Sequence, residues 1–538
     1  MELLKAKHLN FSYANGHSVI RDISFSVQSG EFIIVCGETG CGKTTLLRLL
    51  KQELKPKGIF DGEVYLNGTA YTQLDEKTAA CSVGFVMQNP DSQIITDKVW
   101  HELAFGLESV GLKNDVIKRR IAETACFFGL EDLINKSIFE LSGGQKQMLN
   151  LAAVMIMQPK LLLLDEPTAQ LDPISRKAFL NILHEVNREF NTTVMIVEHN
   201  LDGILELCDR LMVLEDGQLL YNDTPQKVCQ RLDRKKNIFR LMPSAVQITA
   251  PLCRENEDCA LTAKTAVPLI ERHTQVKPIT LLPSSKLSTP LFSFKDIWFR
   301  YEEKGADILK GLSLDLCENE ILFVLGGNGS GKSTFLNIAA GIYREYSGKI
   351  RLYGKKLTAY KNQSLYKNCL AFLPQDVTTV FVKDSIREDL QTVHAEKEIY
   401  GLDISAFLDR HPYDLSGGEQ QLCALVKVLA TKPKILLLDE PTKGADAILK
   451  GRISDILLRL KAEGLTLLVV SHDTEFAALC ADRCALLFNG EIVSVDEPHC
   501  FFAQNHFYTT PTNKVMRSFD ENIITVKEAV KACGIYDD

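Results

Sequence analysis

Two stretches of the chain combine glycine, lysine and a hydroxyl at a spacing suited to phosphate. Gly37-Glu38-Thr39-Gly40-Cys41-Gly42-Lys43-Thr44 and Gly326-Gly327-Asn328-Gly329-Ser330-Gly331-Lys332-Ser333 both fit G-x-x-x-x-G-K-[ST], with Thr45 and Thr334 following. In such a loop the glycines let backbone N–H groups converge on the β- and γ-phosphates of a nucleotide at a helix N-terminus. The lysine adds a point charge and the hydroxyl can ligate Mg2+. Further along, Leu161-Leu-Leu-Leu-Asp165-Glu166 and Ile435-Leu-Leu-Leu-Asp439-Glu440 are apolar runs ending in two carboxylates. Neighbouring side chains of a strand face opposite ways, so the two acids serve different purposes. Asp165 and Asp439 are expected to hold Mg2+ through water, and Glu166 and Glu440 to polarise an attacking water as general bases. His199 and His472 each close a β-branched run, which places an imidazole within hydrogen-bond reach of a γ-phosphate at the carboxyl edge of a sheet.

The elements that position these groups follow from periodicity. Glu31 to Cys36 and Ile321 to Leu325 are short apolar runs that read as buried strands, and Thr45 to Leu50 reads as a helix, so the glycine loop joins strand to helix. Ser142-Gly143-Gly144-Gln145 and Ser416-Gly417-Gly418-Glu419 fit the capping box S-x-x-[EQ] at the head of a helix. The paired glycines there would let backbone approach an anion closely, which predicts phosphate binding in addition to capping.

All of these features occur twice in the same order. Lys43 and Lys332 lie 289 positions apart, Gln88 and Gln375 287, Asp165 and Asp439 274, and His199 and His472 273. The register is lost between the glutamine and the serine-glycine segment, which are separated by 54 positions in the first half and 41 in the second. Such collinearity is the mark of an internal duplication.

This arrangement resembles the ATP-binding cassette (ABC) ATPases: P-loop, Gln88, LSGGQ, LLLLDEP, Asp172 and His199, then P-loop, Gln375, LSGGE, ILLLDEP, Asp446 and His472. The resemblance implies two tandem P-loop NTPase domains, each an α/β RecA-like core with an antiparallel β subdomain and a helical signature subdomain. It implies ATP and Mg2+ as ligands, and Gln88 and Gln375 at the nucleotide and its Mg2+. Tyr13 and Tyr301 are implied as adenine stackers. The two halves are expected to pair intramolecularly, so that Ser142 and Ser416 each complete the nucleotide site of the other half. No lysine, glutamate or histidine of either set is missing, so both sites are expected to hydrolyse ATP. Glu419 in place of glutamine, and Lys443-Gly-Ala-Asp446 against Ala169-Gln-Leu-Asp172, allow unequal turnover. Cys41, matched by Ser330, predicts a first site selectively sensitive to thiol reagents.

Val86-Met-Gln-Asn-Pro-Asp-Ser-Gln93, continued to Leu107, is similar to the corresponding region of energy-coupling-factor (ECF) importers of vitamins, vitamin precursors or metal ions. That likeness implies an integral-membrane scaffold subunit and a substrate-binding membrane subunit as partners, with this chain peripheral on the cytoplasmic face of a bacterial cell membrane. Leu373-Pro-Gln-Asp-Val377 departs from the QNPD pattern. Two alternatives are the fused ATPase of a sugar importer and a soluble twin-cassette ATPase acting in translation. The first would be expected to carry one degraded site. The second would carry a long charged helical arm, which the prolines between the halves forbid.

Composition agrees with this reading. At about 150 residues per domain, 538 residues exceed one core. Hydrophobic and charged fractions of 45% and 24% are those of a soluble globular chain, which excludes disordered and collagen-like classes. A net charge of -8 supplies no broad positive field, so no nucleic acid is expected as a partner. The 15 cysteines contain no C-x-x-C pair and read as reduced thiols. The expected domains are residues 1–224, a Pro-containing linker or small appendage over 225–290, residues 291–497, and a C-terminal tail over 498–538. Within the linker, Leu261 to Val267 echoes Ile524 to Val530.

Overall fold

The computed structural model describes the chain except residues 15, 17, 255–256, 282–288, 361–363, 368, 395–397, 400, 416 and 536–538. The chain divides into two compact units, Met1–Thr262 and Ala263–Asp538.

In the first unit, Val83–Val86, Leu161–Asp165, Thr193–Val197, Phe32–Gly37 and Arg210–Glu215 lie side by side in that order as a parallel sheet, and Gln218–Asp223 is added antiparallel at one edge. Every residue of Leu161–Asp165, Thr193–Val197 and Phe32–Gly37 is buried. That explains their unbroken apolar runs, since a parallel strand is covered on both faces. A second, antiparallel sheet runs Ser18–Gln28, Glu2–Tyr13, Gly58–Leu66, Thr69–Ala70. Both sheets and the P-loop helix Lys43–Leu49 share one core, in which Leu4, Phe11, Ile33, Leu46 and Leu163 are all fully or almost fully enclosed.

The second unit repeats this plan. Leu370–Leu373, Ile435–Asp439, Thr466–Ser471, Ile321–Leu325 and Arg483–Phe488 are parallel, and Glu491–Asp496 is antiparallel at the edge. The loss of sequence register has a defined structural origin. The first unit places helices Val99–Ser109 and Asn114–Phe127 before its signature helix Gly143–Met155. The second has helix Ile386–Thr392, then two-residue strands Glu398–Ile399 and Leu402–Asp403, before Gly417–Leu429. A 14-residue helix is thus replaced by a short hairpin.

The described part of residues 225–290, read in the sequence as a linker or small appendage, contains regular helices. Three helices follow the edge strand in each half: Pro225–Arg231, Ser244–Thr249 and Ala263–His273 in one, Pro498–Gln504, Pro511–Met516 and Val526–Ala532 in the other. The prolines misled because Pro225, Pro498 and Pro511 open their helices, where the missing N–H costs nothing, and Pro243 is itself a cap residue. The echo between Leu261 and Ile524 begins two residues before a helix start in both halves.

Helix Ala263–His273 belongs to the second unit and packs on Pro511–Met516. The chain after it stays docked on the tail, because Thr274 Oγ1 donates to the Cys533 carbonyl, Lys277 N to the Ala532 carbonyl and Ile279 N to Asp520 Oδ2, each at 2.9 Å. Asn513, fully buried, holds the tail from within. Its Nδ2 donates to the carbonyls of Glu521 at 2.7 Å and Ile523 at 3.1 Å, and its Oδ1 accepts from Thr509 Oγ1 at 2.9 Å. Asn513→Ala strands these buried groups and is expected to cost about 2–4 kcal/mol, read as a lower urea midpoint for the second unit, with Leu458→Ala on the exposed face of helix Ala447–Ala462 as the near-neutral control.

Candidate functional site

The P-loops sit where the sequence places them, between a buried central strand and a helix. Gly42 and Gly331 precede these helices at φ 104° and 101°, a backbone that only glycine adopts without strain. Lys43 Nζ, buried, donates to the carbonyls of Gly37 at 2.8 Å and Glu38 at 2.9 Å. Lys332 Nζ reaches those of Gly326 at 3.0 Å and Gly327 at 3.1 Å, and also lies 3.8 Å from Glu440 Oε1. Thr44 Oγ1 donates to Asp165 Oδ1 at 2.9 Å, and Ser333 Oγ to Asp439 Oδ1 at 3.2 Å.

The two acids of each pair face different partners. Glu166 and Glu440 leave the strand at φ 46° and 48°, and each backbone N–H still bonds to the adjacent strand, at Val197 and Val470. Glu166 Oε1 meets His199 Nε2 at 2.6 Å, and its Oε2 accepts from Gln88 Nε2 at 2.6 Å. Glu440 Oε2 meets His472 Nδ1 at 3.0 Å and accepts from Ser471 Oγ at 3.1 Å. The same pair of residues is therefore joined through opposite ring nitrogens in the two halves. Gln88 is bonded to the glutamate and not to the Thr44–Asp165 pair, and Gln375 lies exposed just beyond strand Leu370–Leu373.

Burial pushes the carboxyls of Asp165 and Asp439 up to about 6; the neighbouring glutamate adds to the rise in both, while the hydroxyl of Thr44 or Ser333 works against it. For Glu440 burial acts in the same direction, but His472, Lys332 and Ser471 outweigh it and hold the carboxyl below its usual range. His472 is raised because Glu440 overcomes the opposing effect of burial. A hydroxyl beside a desolvated carboxylate is a hard oxygen set, and a cation there would relieve the crowded negative charge, so Thr44 with Asp165 and Ser333 with Asp439 fit Mg2+.

Around the motifs, Tyr13 OH lies 3.0 Å from Thr45 Oγ1 and Tyr301 OH 2.8 Å from Thr334 Oγ1, so both tyrosines stand beside their own P-loops. Tyr343, which sequence reasoning missed, meets Tyr301 edge-on at 5.6 Å. Ser142 and Gln145 form a complete capping box, with Ser142 N donating to Gln145 Oε1 at 2.9 Å. Ser416 lies outside the described residues. The paired glycines divide their tasks. A Cβ at Gly143 or Gly417 would meet nothing within 4 Å, whereas one at Gly144 would come 3.3 Å from Ser175 and one at Gly418 2.6 Å from Leu449. The second glycine therefore lies close against side chains of the following helix. The QNPD loop is fastened to the signature helix by Lys146–Asp91 at 2.6 Å and Asn150 Nδ2 to the Pro90 carbonyl at 3.2 Å.

The ABC transporter family model matches residues 20–169 and again 309–443. The chain belongs to the ABC transporter ATP-binding proteins. These are ATPases, and this ABC protein carries two cassettes. A Bacillus anthracis protein, named as an ABC transporter ATP-binding protein, is 38% identical over 98% of both chains. A Bacillus subtilis protein, YkoD, named for HMP/thiamine import, is 31% identical over 94% of this chain and 93% of its own. The structure of cbiO1 from Clostridium perfringens, part of the ABC transporter complex cbiONQ, covers 43% of this chain and 91% of its own at 30% identity and a TM-score of 0.40.

The selective thiol sensitivity read from Cys41 meets a physical obstacle in this ABC ATPase. Cys41 is buried against Gly37, and burial raises its thiol above the ordinary range although Lys43 opposes the rise. The thiolate is the reactive form. Iodoacetamide at pH 7 is expected to label the exposed Cys126 and Cys500 well before Cys41, and raising the pH to 9 should speed Cys41 by enlarging its thiolate fraction. Peptide mass spectrometry over time checks both statements.

Proposed function

We propose that this ABC ATPase is the energy-coupling subunit of a membrane importer of the ECF type, powering uptake of a vitamin, vitamin precursor or metal ion through separate membrane subunits. The observation that carries the reading is the completeness of both sites: each cassette places a buried P-loop lysine, a hydroxyl–aspartate pair and a glutamate–histidine pair together. Among the described residues no helix is long and apolar enough to cross a membrane, so transport by this chain calls for partner subunits. The fastened QNPD loop and the relative named for HMP/thiamine import favour the ECF subtype and a vitamin precursor as cargo. The longest described helix between the cassettes spans 11 residues, which does not favour the arm of a translation factor.

Chemically, Lys43 and Lys332 exchange their loop carbonyls for the β- and γ-phosphate oxygens of ATP. Mg2+, held by Thr44 and Asp165 or by Ser333 and Asp439, would neutralise charge on the phosphates. Glu166 and Glu440 draw a proton from the attacking water, and His199 and His472 hold that carboxylate in line while donating toward the γ-phosphate.

In steady-state ATPase assays of the full chain, Glu166→Gln and Glu440→Gln should each at least halve turnover, and the double variant should lose about 10²-fold or more. Appreciable turnover in the double variant would remove the assigned bases. An affinity-tagged full chain isolated from detergent-solubilised membranes should bring integral-membrane subunits with it; co-sedimentation with ribosomes instead would favour the translation reading.

A further inference from the structure

The residues flanking the two histidines exchange their charge between the halves. His199 is preceded by Glu198 and followed by Asn200; His472 is preceded by Ser471 and followed by Asp473. The helix that follows each catalytic acid pair, Pro173–Phe190 or Ala447–Ala462, carries one cation toward this segment, Arg176 in the first half and Lys450 in the second.

In the first half, Glu198 is almost fully enclosed, and its Oε1 accepts from Thr168 N at 3.2 Å and Thr168 Oγ1 at 2.8 Å. Arg176 Nε donates to the same Thr168 Oγ1 at 3.3 Å, Nη1 to the Asp202 carbonyl at 2.9 Å and Nη2 to the Asn200 carbonyl at 2.6 Å. In the second half the acid sits on the other side of the histidine. Asp473 Oδ2 pairs with Lys450 Nζ at 2.6 Å, and Ser471 Oγ is turned to Glu440 Oε2 at 3.1 Å. Each half thus contains one buried or nearly buried carboxylate beside its histidine: Asp473 pairs directly with Lys450 of the following helix, whereas Glu198 reaches that helix through Thr168, whose hydroxyl also accepts from Arg176. The tie starts before the histidine in one half and after it in the other.

We propose that Glu198 is a positioning residue for hydrolysis in the first cassette: with Arg176 and Thr168 it sets the approach of His199 to Glu166, the task that Asp473 and Lys450 perform for His472 and Glu440. A carboxylate at 198 cannot donate to Glu166 as the Ser471 hydroxyl does to Glu440, which leaves His199 and Gln88 as the donors described there. Because the two solutions differ by an exchange of positions, each should be convertible into the other by a paired change, and half of a pair should fail.

The inference rests on the roles proposed for Glu166 and His199. Steady-state ATPase of the full chain is measured for Glu198→Ser, Glu198→Ser with Asn200→Asp, Asp473→Asn, and Asp473→Asn with Ser471→Glu. Each single change should lower kcat about fivefold with KM for ATP within twofold of the parent, and each double change should return kcat to within about twofold. If Glu198→Ser does not fold, Glu198→Gln supplies the reading, since it keeps an acceptor for Thr168 but no charge opposite Arg176; it too should lower kcat and be repaired by Asn200→Asp. Unchanged kcat in the single variants, a rise in KM alone, or double variants no better than single ones would overturn the proposal. Loss of activity in Glu166→Gln alongside any of those results would leave the assigned base standing and sink only the positioning role.

Discussion

Taking two neighbouring carboxylates out of water costs several kcal/mol each unless donors or positive charge meet them, and each cassette does this at the end of a fully buried strand. Asp165 and Glu166 are both buried, as are Asp439 and Glu440. The rest of the site is organised around relieving that cost. A hydroxyl of the P-loop helix meets the aspartate, an imidazole meets the glutamate, and the P-loop lysine is held in the same pocket by main-chain carbonyls. Mg2+ held by the hydroxyl–aspartate pair would add positive charge where these carboxylates crowd.

The duplication shows how loosely this constraint specifies its solution. Glu166 is met by Nε2 of its histidine and by a glutamine, Glu440 by Nδ1 of its histidine, a serine hydroxyl and a more distant lysine. The surroundings are equally free to drift, as a 14-residue helix in one half and a short hairpin in the other show. What both halves retain is the set of groups whose charge must balance within a few ångströms.

That retention is why the site could be read from residue order. The spacing inside G-x-x-x-x-G-K-[ST] and LLLLDE is set by covalent geometry, and a second copy removes chance. Three things were not legible. Glu198 and Asp473 do the same kind of work two positions apart, so aligning the halves pairs each with a neutral residue and hides the match. Gly144 and Gly418 also lie close against a neighbouring helix, a packing constraint that residue order does not display. The helices between Pro225 and His273 have six to eleven residues; Pro225 and Pro243 stand at helix starts, where they support a helix, while Pro268 sits inside helix Ala263–His273 and hides it from a reading that takes proline as a breaker.

Helix Ala263–His273 and the Pro511–Met516 segment on which it rests are 248 positions apart. During synthesis at about 5–20 residues per second, the helix emerges roughly 12–50 s before its seat exists. Over that interval Ala266, Leu269 and Ile270, buried in the finished molecule, have no cover from the tail. The second lobe is thus closed by two segments far apart in the chain, and it cannot be sealed until Pro511–Met516 has been made.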